Sequence, residues 1–344
     1  MIVLWDVLDR ILDRAAGLDD LRAHRLQLLA AQRLRARGQE LPPGLADEER
    51  RASVTALVAA EVLTAIRNAA TEPFVVFKGP EIASLYPHPS TRSFTDLDVL
   101  TERPVEMHRA LRAGGFEEVG DPRLYEGIHH LRPLALPHLP LPVEIHSRAK
   151  WVDWHRGLHA ADVVRQAVPG SMGVDGISAP APEHHTLILA AHSWAHEPLR
   201  RIADLLDVGA SAERSDGAVV AELAERWGLG AVWRTTRRVI DALAAGETTP
   251  PPGLGWARSV FEVRERTVFE SHLESWLSPY AARPPLRAFG DMARAILLDV
   301  RRDSGEPWAR KLRRSSHAVA ASGRPRSEHD RMLERIGADA GRQS

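Results

Sequence analysis

Cysteine is absent from this chain of 344 residues. Without a thiol the protein forms no disulfide and offers no thiolate ligand or nucleophile, a composition that is compatible with the cytoplasm. Lysine is almost absent as well, since only Lys78, Lys150 and Lys311 occur and the other Lys/Arg positions are all arginine. A lysine that falls within a motif therefore stands out from the background.

The chain also lacks an excess of charge and a long apolar run. Its net charge of −1 creates no overall field that would attract nucleic acid or an anionic membrane. We find no run of about 18 apolar residues, the length that a membrane-spanning helix needs. The first residues lack the basic region of a signal peptide. We therefore expect a cytoplasmic protein whose partners include neither a membrane nor nucleic acid.

Two common nucleotide-binding motifs are missing. The sequence contains no Walker lysine loop and no GxGxxG stretch, which removes the P-loop and Rossmann interpretations. No internal repeat occurs at a fixed period. The hydrophobic fraction of 44% and the charged fraction of 26% are those of an ordinary globular protein, and the length suffices for two or three structural units.

Periodicity and turn residues divide the chain into four segments. We predict an N-terminal helical segment (1–70), an α/β core (71–150), a helical domain (151–304) and an Arg-rich, partly disordered tail (305–344). Helices are predicted at 20–37, 46–68, 104–113, 151–169, 182–196, 199–213, 218–227, 231–245, 259–277 and 286–302. Strands are predicted at 74–77, around Asp98, at 116–119, at 129–136, around Glu144 and within 170–182. The fold class is therefore α/β (α+β), with a sheet of mixed direction.

One predicted helix carries an apolar stripe. Val54, Val58, Val62 and Ile66 recur every four residues in the helix at 46–68, and Leu57 flanks them. Such a stripe predicts a helix face that covers one side of the sheet, with a partner surface as the alternative.

The first polar motif begins where an apolar strand ends. Residues 74–77 are aromatic or β-branched and lie between Pro73 and Gly79, which is typical of a buried strand. Lys78 and Gly79 follow, and Pro80 suits the first position of a helix. Such a turn directs free backbone N–H groups and the positive end of the helix dipole at whatever lies in front. The turn therefore predicts contact with phosphate.

Two pairs of polar residues alternate with apolar ones further along. Asp96 and Asp98 are two residues apart, so on a strand they share one face. Glu144 and His146 have the same spacing. If the two strands lie side by side, Glu144 becomes a third acid over the same pocket. Clustered carboxylates repel each other unless a cation lies between them, and Mg²⁺ binds carboxylate and phosphate oxygens. The pattern therefore predicts a divalent metal site.

The order strand, Lys-Gly, helix, Tyr, Arg, Asp-x-Asp and, later, Glu-x-His resembles the nucleotidyltransferase superfamily with the DNA polymerase β-like fold. It is most similar to the uncharacterised nucleotidyltransferase branch. The matching positions are Lys78, Gly79, Tyr86, Arg92, Asp96, Asp98, Glu144 and His146. The match covers about residues 70–150. Most active members carry Gly-Gly or Gly-Ser at the turn, where this chain has Lys-Gly.

The resemblance implies an enzyme that moves NMP from an NTP, such as ATP, to an acceptor and releases pyrophosphate. The acceptor is an unknown small molecule, peptide or protein. The resemblance further implies that Asp96, Asp98 and Glu144 are catalytic and hold Mg²⁺ (or Mn²⁺).

The nucleotide would be bound by the neighbouring residues. The resemblance places the Gly79 turn against the nucleotide phosphates. Lys78 and Arg92 would neutralise triphosphate charge, because a guanidinium binds phosphate through two parallel N–H groups. His146 would orient the adjacent carboxylate or contact substrate. Arg92 has an alternative role as the partner of Asp96, and Lys78 as a solvated residue at a strand end.

Two other interpretations stay open. The same fold with a degenerate pocket would be a binding or regulatory module, which the Lys-Gly turn keeps in view. A zinc hydrolase would rest on His185, His192 and His196, which share one helix face but lack the glutamate of an HExxH motif. A further role for these histidines is to line the acceptor side of the cleft. For the segment 200–207, we expect Asp204 to pair with an arginine at 200 or 201.

Overall fold

The computed structural model describes residues 4–125, 130–149, 160–195 and 197–300, together with 308, 311–312, 316, 319–320 and 322–328. The chain forms two compact units. The first comprises residues 25–196 and 203–233, and the second comprises residues 2–24, 197–202 and the chain from 234 onward. These units are not the four predicted segments, which remain a prediction.

Helices make up most of the described chain. Their bounds are α1 Leu4–Leu12, α2 Leu18–Ala23, α3 Gln27–Ala36, α4 Leu45–Ala69, α5 Pro80–Ala83, α6 Pro104–Ala113, α7 Ala160–Arg165, α8 Pro182–Ala195, α9 Ile202–Glu213, α10 Gly217–Arg226, α11 Gly230–Ala244, α12 Arg258–Glu262, α13 Val268–Ala282 and α14 Pro285–Val300. The strands are β1 Phe74–Val76, β2 Leu97–Thr101, β3 Glu117–Glu118, β4 Leu134–Leu136, β5 Leu139–His146, β6 Val168–Pro169 and β7 Ser178–Ala179.

A five-stranded sheet in the order β1-β2-β5-β4-β3 lies at the centre of the first unit. Strand β2 pairs in parallel with β5, whereas the β1–β2, β4–β5 and β3–β4 pairs are antiparallel. The mixed direction confirms the predicted fold class. It also confirms that the strand of Glu144 lies beside the strand of Asp98.

Alternating residues of these strands build the core. Leu97 and Val99 of β2, with Val143 and Ile145 of β5, belong to one buried cluster. The cluster is completed by α4 and α6, which contribute Ala59, Val62, Leu63, Ile66, Met107 and Leu111. Because side chains of a strand alternate between its faces, the polar residues between these apolar ones face the opposite side of the sheet.

The apolar stripe of α4 is only half correct. Val62 and Ile66 are fully buried against the sheet, and Val58 is partly buried there. Val54 and Leu57 lie nearer the start of the helix and are 50% and 77% exposed. The first half of the helix buries a different face, with Leu45 and Ala52, so Val54 and Leu57 remain exposed.

Helix α4 also concerns the expectation that the chain has no membrane-spanning segment. By length and composition α4 is long and apolar enough to cross a membrane, although it has no uninterrupted apolar run. One such helix is weak evidence, because the core helix of a soluble protein passes the same test.

Two helices predicted as continuous are broken. The predicted helix 20–37 is interrupted where Arg25 has a φ of 56°, and the predicted helix 259–277 is interrupted where Val263 has a φ of 51°. After the second break, Thr267 caps α13 reciprocally with Glu270. The spacing Thr-x-x-Glu is a known start of a helix, so this new start was visible in the sequence.

The second unit includes part of the predicted tail. Residues 322–328 run beside the start of α13, where the N–H of Val268 donates to the carbonyl of Arg324 and the N–H of Arg326 donates to the carbonyl of Arg266. The guanidinium of Arg326 also contacts Glu197 at 2.9 Å. This part of the tail is therefore held by backbone and side-chain contacts.

Burial along α4 predicts a contrast between two substitutions on the same helix. We expect Ile66→Ala to lower the free energy of unfolding by about 2–5 kcal/mol, because it removes a fully buried side chain and leaves a cavity. Leu57→Ala should change it by less than about 0.5 kcal/mol, because the side chain is 77% exposed. Urea unfolding measures both values. Equal losses would show that Leu57 is buried as well.

Candidate functional site

Strands β2 and β5 bring together two of the three predicted acids, Asp98 and Glu144. Asp98 lies directly opposite Glu144 in the parallel register, and Leu100 lies opposite His146. Ligand atoms of Asp98, Glu144 and His146 all lie within 4.8 Å of one another. Residues almost fifty positions apart in the sequence therefore form one polar cluster on the face opposite the core.

Asp98 is at the centre of this cluster. It is 1% exposed, and its Oδ1 accepts a hydrogen bond from Lys78 Nζ at 3.0 Å and lies 2.8 Å from His146 Nε2. Burial by itself would raise the pKa of Asp98, but the attraction of Lys78 and His146 outweighs it and holds the pKa well below its usual range. Asp98 is therefore a carboxylate at neutral pH.

Two imidazoles lie beside Glu144. His146 Nε2 and His130 Nε2 are 3.6 Å and 3.5 Å from Glu144 Oε2. Burial would raise the pKa of Glu144, but contact with His146 and the nearby His130 lower it overall. Burial would lower the pKa of His146, but its contacts with Asp98 and Glu144 raise it overall. The carboxylates of Asp98 and Glu144 thus favour the protonated form of the His146 imidazole that lies between them.

Asp96 lies just before β2, not within it as expected. Burial and the charges of Asp98 and Glu144 raise its pKa to about 6. Lys78 and Arg25 act in the opposite direction. Asp96 is therefore electrostatically coupled to the cluster, and it is the acid there with the least compensation.

Gly79 forms the predicted turn. Its φ of 62° and ψ of −119° are open to glycine and strained for other residues. Pro80 begins α5, as predicted, but α5 has only four residues. Glu81 is buried and accepts hydrogen bonds from the N–H of Ser171 at 3.0 and 3.1 Å. The carboxylate of Glu81 is therefore bound by the segment between β6 and β7.

Arg92 has a different partner from those predicted. Its Nη2 and Nε donate to Asp207 Oδ2 and Oδ1 at 2.7 and 3.0 Å. Tyr86 Oη donates to the same carboxylate at 2.6 Å. Arg92 thus forms no ion pair with Asp96 in the described part of the chain, and its contact with phosphate remains a prediction.

Of the three predicted histidines, His185 is engaged away from the polar cluster of Asp98, Glu144 and His146. His185 Nε2 donates to the carbonyl of Phe77 at 2.8 Å, directly before Lys78. Burial lowers the pKa of His185 to about 4, so the imidazole is neutral. His196 lies outside the described residues. Arg200, one of the two arginines expected to pair with Asp204, contacts Glu197.

Three residues of this region were not predicted. Asp207 is the ion-pair partner of Arg92, and His130 lies beside Glu144. The charge of Arg25 lowers the pKa of Asp96. Asp207 had a sequence signal, since an acid among the apolar residues of 202–212 indicates a buried and paired carboxylate. We find no comparable signal for His130 or Arg25, because both depend on contacts between distant segments.

The mixed sheet with polar residues of β2 and β5 on one face defines the class: it is a nucleotidyltransferase fold. A family model described as "Uncharacterised nucleotidyltransferase" matches residues 15–244. The chain therefore belongs to that family. None of the curated proteins compared with the chain matches it.

The cluster has the chemistry of a divalent metal site. Carboxylate oxygens suit Mg²⁺ and Mn²⁺, and Asp98 and Glu144 provide them beside His146. Opposite ligands of an octahedral Mg²⁺ are about 4.2 Å apart, since each lies about 2.1 Å from the ion. Ligand atoms within 4.8 Å of one another would need only small side-chain movements. The residues therefore fit such an ion.

The buried His185 predicts a pH dependence of stability. Its pKa falls from 6.5 to about 4 on folding, so between these pH values the unfolded chain binds a proton that the folded chain does not. The neutral form of His185 therefore contributes fully to the unfolding free energy above about pH 6.5. This contribution is lost as the pH falls toward 4, because protons then stabilise the unfolded chain. His185→Gln should reduce the loss of unfolding free energy between pH 7 and pH 4 by on the order of 3 kcal/mol.

Chemical denaturation at a series of pH values measures this difference. The control is His138→Gln, in the exposed turn between β4 and β5, which should retain the pH dependence of the wild type. Identical curves for His185→Gln and the wild type would contradict a neutral, buried His185.

The close approach at Gly79 predicts a second effect. A Cβ on Gly79 would lie 3.1 Å from the carbonyl oxygen of Asp96 and would require a φ of 62°. Gly79→Ala should therefore lower the unfolding free energy by about 1–3 kcal/mol. The control is Gly38→Ala, which has a φ of 66° but no atom within 4 Å of the new Cβ. Thermal unfolding should show the larger loss for Gly79→Ala, and equal losses would argue against a contact with the Asp96 segment.

Proposed function

We propose that the protein is a metal-dependent nucleotidyltransferase that moves NMP from an NTP to an acceptor and releases pyrophosphate. One observation carries the proposal: Asp98 and Glu144 lie opposite each other on parallel strands, with His146 between them. Membership of a nucleotidyltransferase family supports the same reaction class.

In this proposal Asp96, Asp98 and Glu144 hold Mg²⁺ or Mn²⁺. The bound ions would lower the charge repulsion between acceptor oxygen, phosphate and leaving pyrophosphate. In the reaction, the acceptor forms a bond to the α-phosphorus while the bond from that phosphorus to the leaving oxygen breaks. Pyrophosphate takes the electron pair of that bond. His146 keeps the two carboxylates of β2 and β5 in place through its contacts with both.

Phosphate binding is assigned to Lys78, Gly79 and Arg92. Lys78 lies at the end of β1, and its side chain already reaches the cluster at Asp98. Gly79 allows the backbone to approach the nucleotide closely, because it has no Cβ. Arg92 would contribute through the N–H groups that Asp207 and the carbonyl of Ser93 do not use.

A second function has a specific observation in its favour. Lys78 and His146 both contact Asp98 Oδ1, so this oxygen is already neutralised without a metal. A lysine that permanently replaces the ion would make the protein a degenerate nucleotidyltransferase that binds a partner without catalysis. Metal-dependent binding of NTP separates the two functions, because the degenerate form has no use for the ion.

Asp98→Asn tests the proposed reaction. The amide keeps the size of the carboxylate but loses its charge, and the ions contribute several kcal/mol to transition-state stabilisation. Pyrophosphate release should fall on the order of 100-fold or more, since each 1.36 kcal/mol is tenfold in rate. Part of the NTP affinity should remain, because phosphate contacts elsewhere are unchanged. The melting temperature should also fall, because Lys78 and His146 lose their buried anion.

The control is Asp175→Asn, an exposed residue between β6 and β7, which should behave like the wild type. Pyrophosphate release is measured with each NTP, Mg²⁺ or Mn²⁺ and candidate acceptors. Equal release by Asp98→Asn and the wild type would end the catalytic assignment. A wild type that gains no thermal stability from NTP with metal would favour the degenerate module.

A further inference from the structure

A buried carboxylate on α9 holds the segment that leads to the candidate site. Asp207 is 3% exposed and lies among the apolar residues Leu205, Leu206 and Val208. A carboxylate at such a position is costly unless it is paired and hydrogen-bonded. Its partners are Arg92 and Tyr86, both in the connection between β1 and β2.

The contact with Arg92 is a two-point ion pair. Arg92 Nη2 lies 2.7 Å from Asp207 Oδ2, and Arg92 Nε lies 3.0 Å from Asp207 Oδ1. Tyr86 Oη donates to Oδ1 at 2.6 Å. Two parallel N–H groups fix the direction of a guanidinium as well as its position. The side chains of Arg92 and Asp207 are only 11% and 5% exposed, so water does not compete effectively for these groups.

The same guanidinium is also bound to its own backbone. Arg92 Nη1 donates to the carbonyl of Ser93 at 2.8 Å. Residues 93–96 form neither helix nor strand, so no ladder of backbone hydrogen bonds holds them. The Arg92–Asp207 pair fixes the chain before this segment and β2 fixes it after, while Phe94 between them packs against the core. Asp96 is the last residue between these two points.

We infer that Asp207 is a positioning residue, which fixes Arg92 and thereby sets the place of Asp96 relative to Asp98 and Glu144. The part of this inference that concerns metal binding rests on the proposed function. Asp207 touches neither substrate nor metal ligands in this role, and acts only through Arg92. A purely structural role for Asp207 would give a loss of stability and nothing more.

Asp207→Asn tests the inference, with Ser211→Ala as a matched control. Ser211 lies one helical turn further along α9, is 2% exposed and bonds to Thr186 at 2.8 Å, so its loss weakens the same helix without touching residues 86–96. The amide that Asp207→Asn introduces would be too weak an acceptor to hold the guanidinium, because it carries no charge.

Two readouts are compared on the full-length variants. Amide hydrogen exchange of Thr91 and Arg92, whose N–H groups donate to the carbonyls of His88 and Pro89, should accelerate in Asp207→Asn by about tenfold or more beyond the change in Ser211→Ala. The dissociation constant for Mn²⁺, measured with and without a non-hydrolysable ATP analogue, should rise about 10- to 100-fold, the usual effect of losing a residue that orients a metal ligand. Ser211→Ala should leave Mn²⁺ affinity unchanged. Tyr86→Phe keeps the ion pair and should show a smaller effect on both readouts.

Each outcome decides the inference. Equal exchange in the two variants, or unchanged Mn²⁺ affinity in Asp207→Asn, overturns it. If the wild type binds Mn²⁺ neither alone nor with a non-hydrolysable ATP analogue, the proposed function fails, while exchange at Thr91 and Arg92 still decides whether Asp207 holds the chain before Asp96. If Asp207→Asn does not fold, Arg92→Lys takes its place, because lysine keeps the charge but cannot make the two-point contact.

Discussion

The parallel pairing of β2 with β5 is the constraint on which the site depends. In both strands the apolar residues face α4 and α6 and the polar residues face the opposite side. A slip of one residue along β5 would turn Glu144 into the core and expose Val143. The hydrophobic core therefore enforces the register, and the register brings Asp98 and Glu144 side by side. Burial of apolar side chains on one face thus holds like charges together on the other.

Holding these acids together requires compensation, which the cluster supplies unevenly. Asp98 has two cationic neighbours, Lys78 and His146, and its pKa is lowered in spite of complete burial. Asp96 has weaker compensation, and its pKa is raised to about 6. The difference follows from place in the fold: Asp98 is within β2 and faces Lys78 at the end of β1, whereas Asp96 is outside the strand.

The period-two alternation carried most of the correct sequence predictions. It predicted which residues of β2 and β5 face the core, and that Glu144 would join Asp98. Helix ends marked by Pro or Gly were also predicted well, as for α6. The breaks at Arg25 and Val263 were not, because a left-handed conformation at a residue other than glycine is imposed by tertiary contacts. The pairing of Arg92 with Asp207 was missed for a similar reason: the two residues lie 115 positions apart.

The pairing of Lys78 with Asp98 bears on how a metal would enter the proposed site. Without a ligand, Lys78 and His146 already contact Asp98, and His146 contacts Glu144, so a divalent cation would compete with them for these carboxylates. A nucleoside triphosphate brings several negative charges with it. If Lys78 moves from Asp98 to a phosphate, the carboxylate becomes free for the ion at the moment when the ammonium gains a new anion. The same contact that favours a degenerate module then serves catalysis, since it makes the binding of metal and nucleotide mutually dependent.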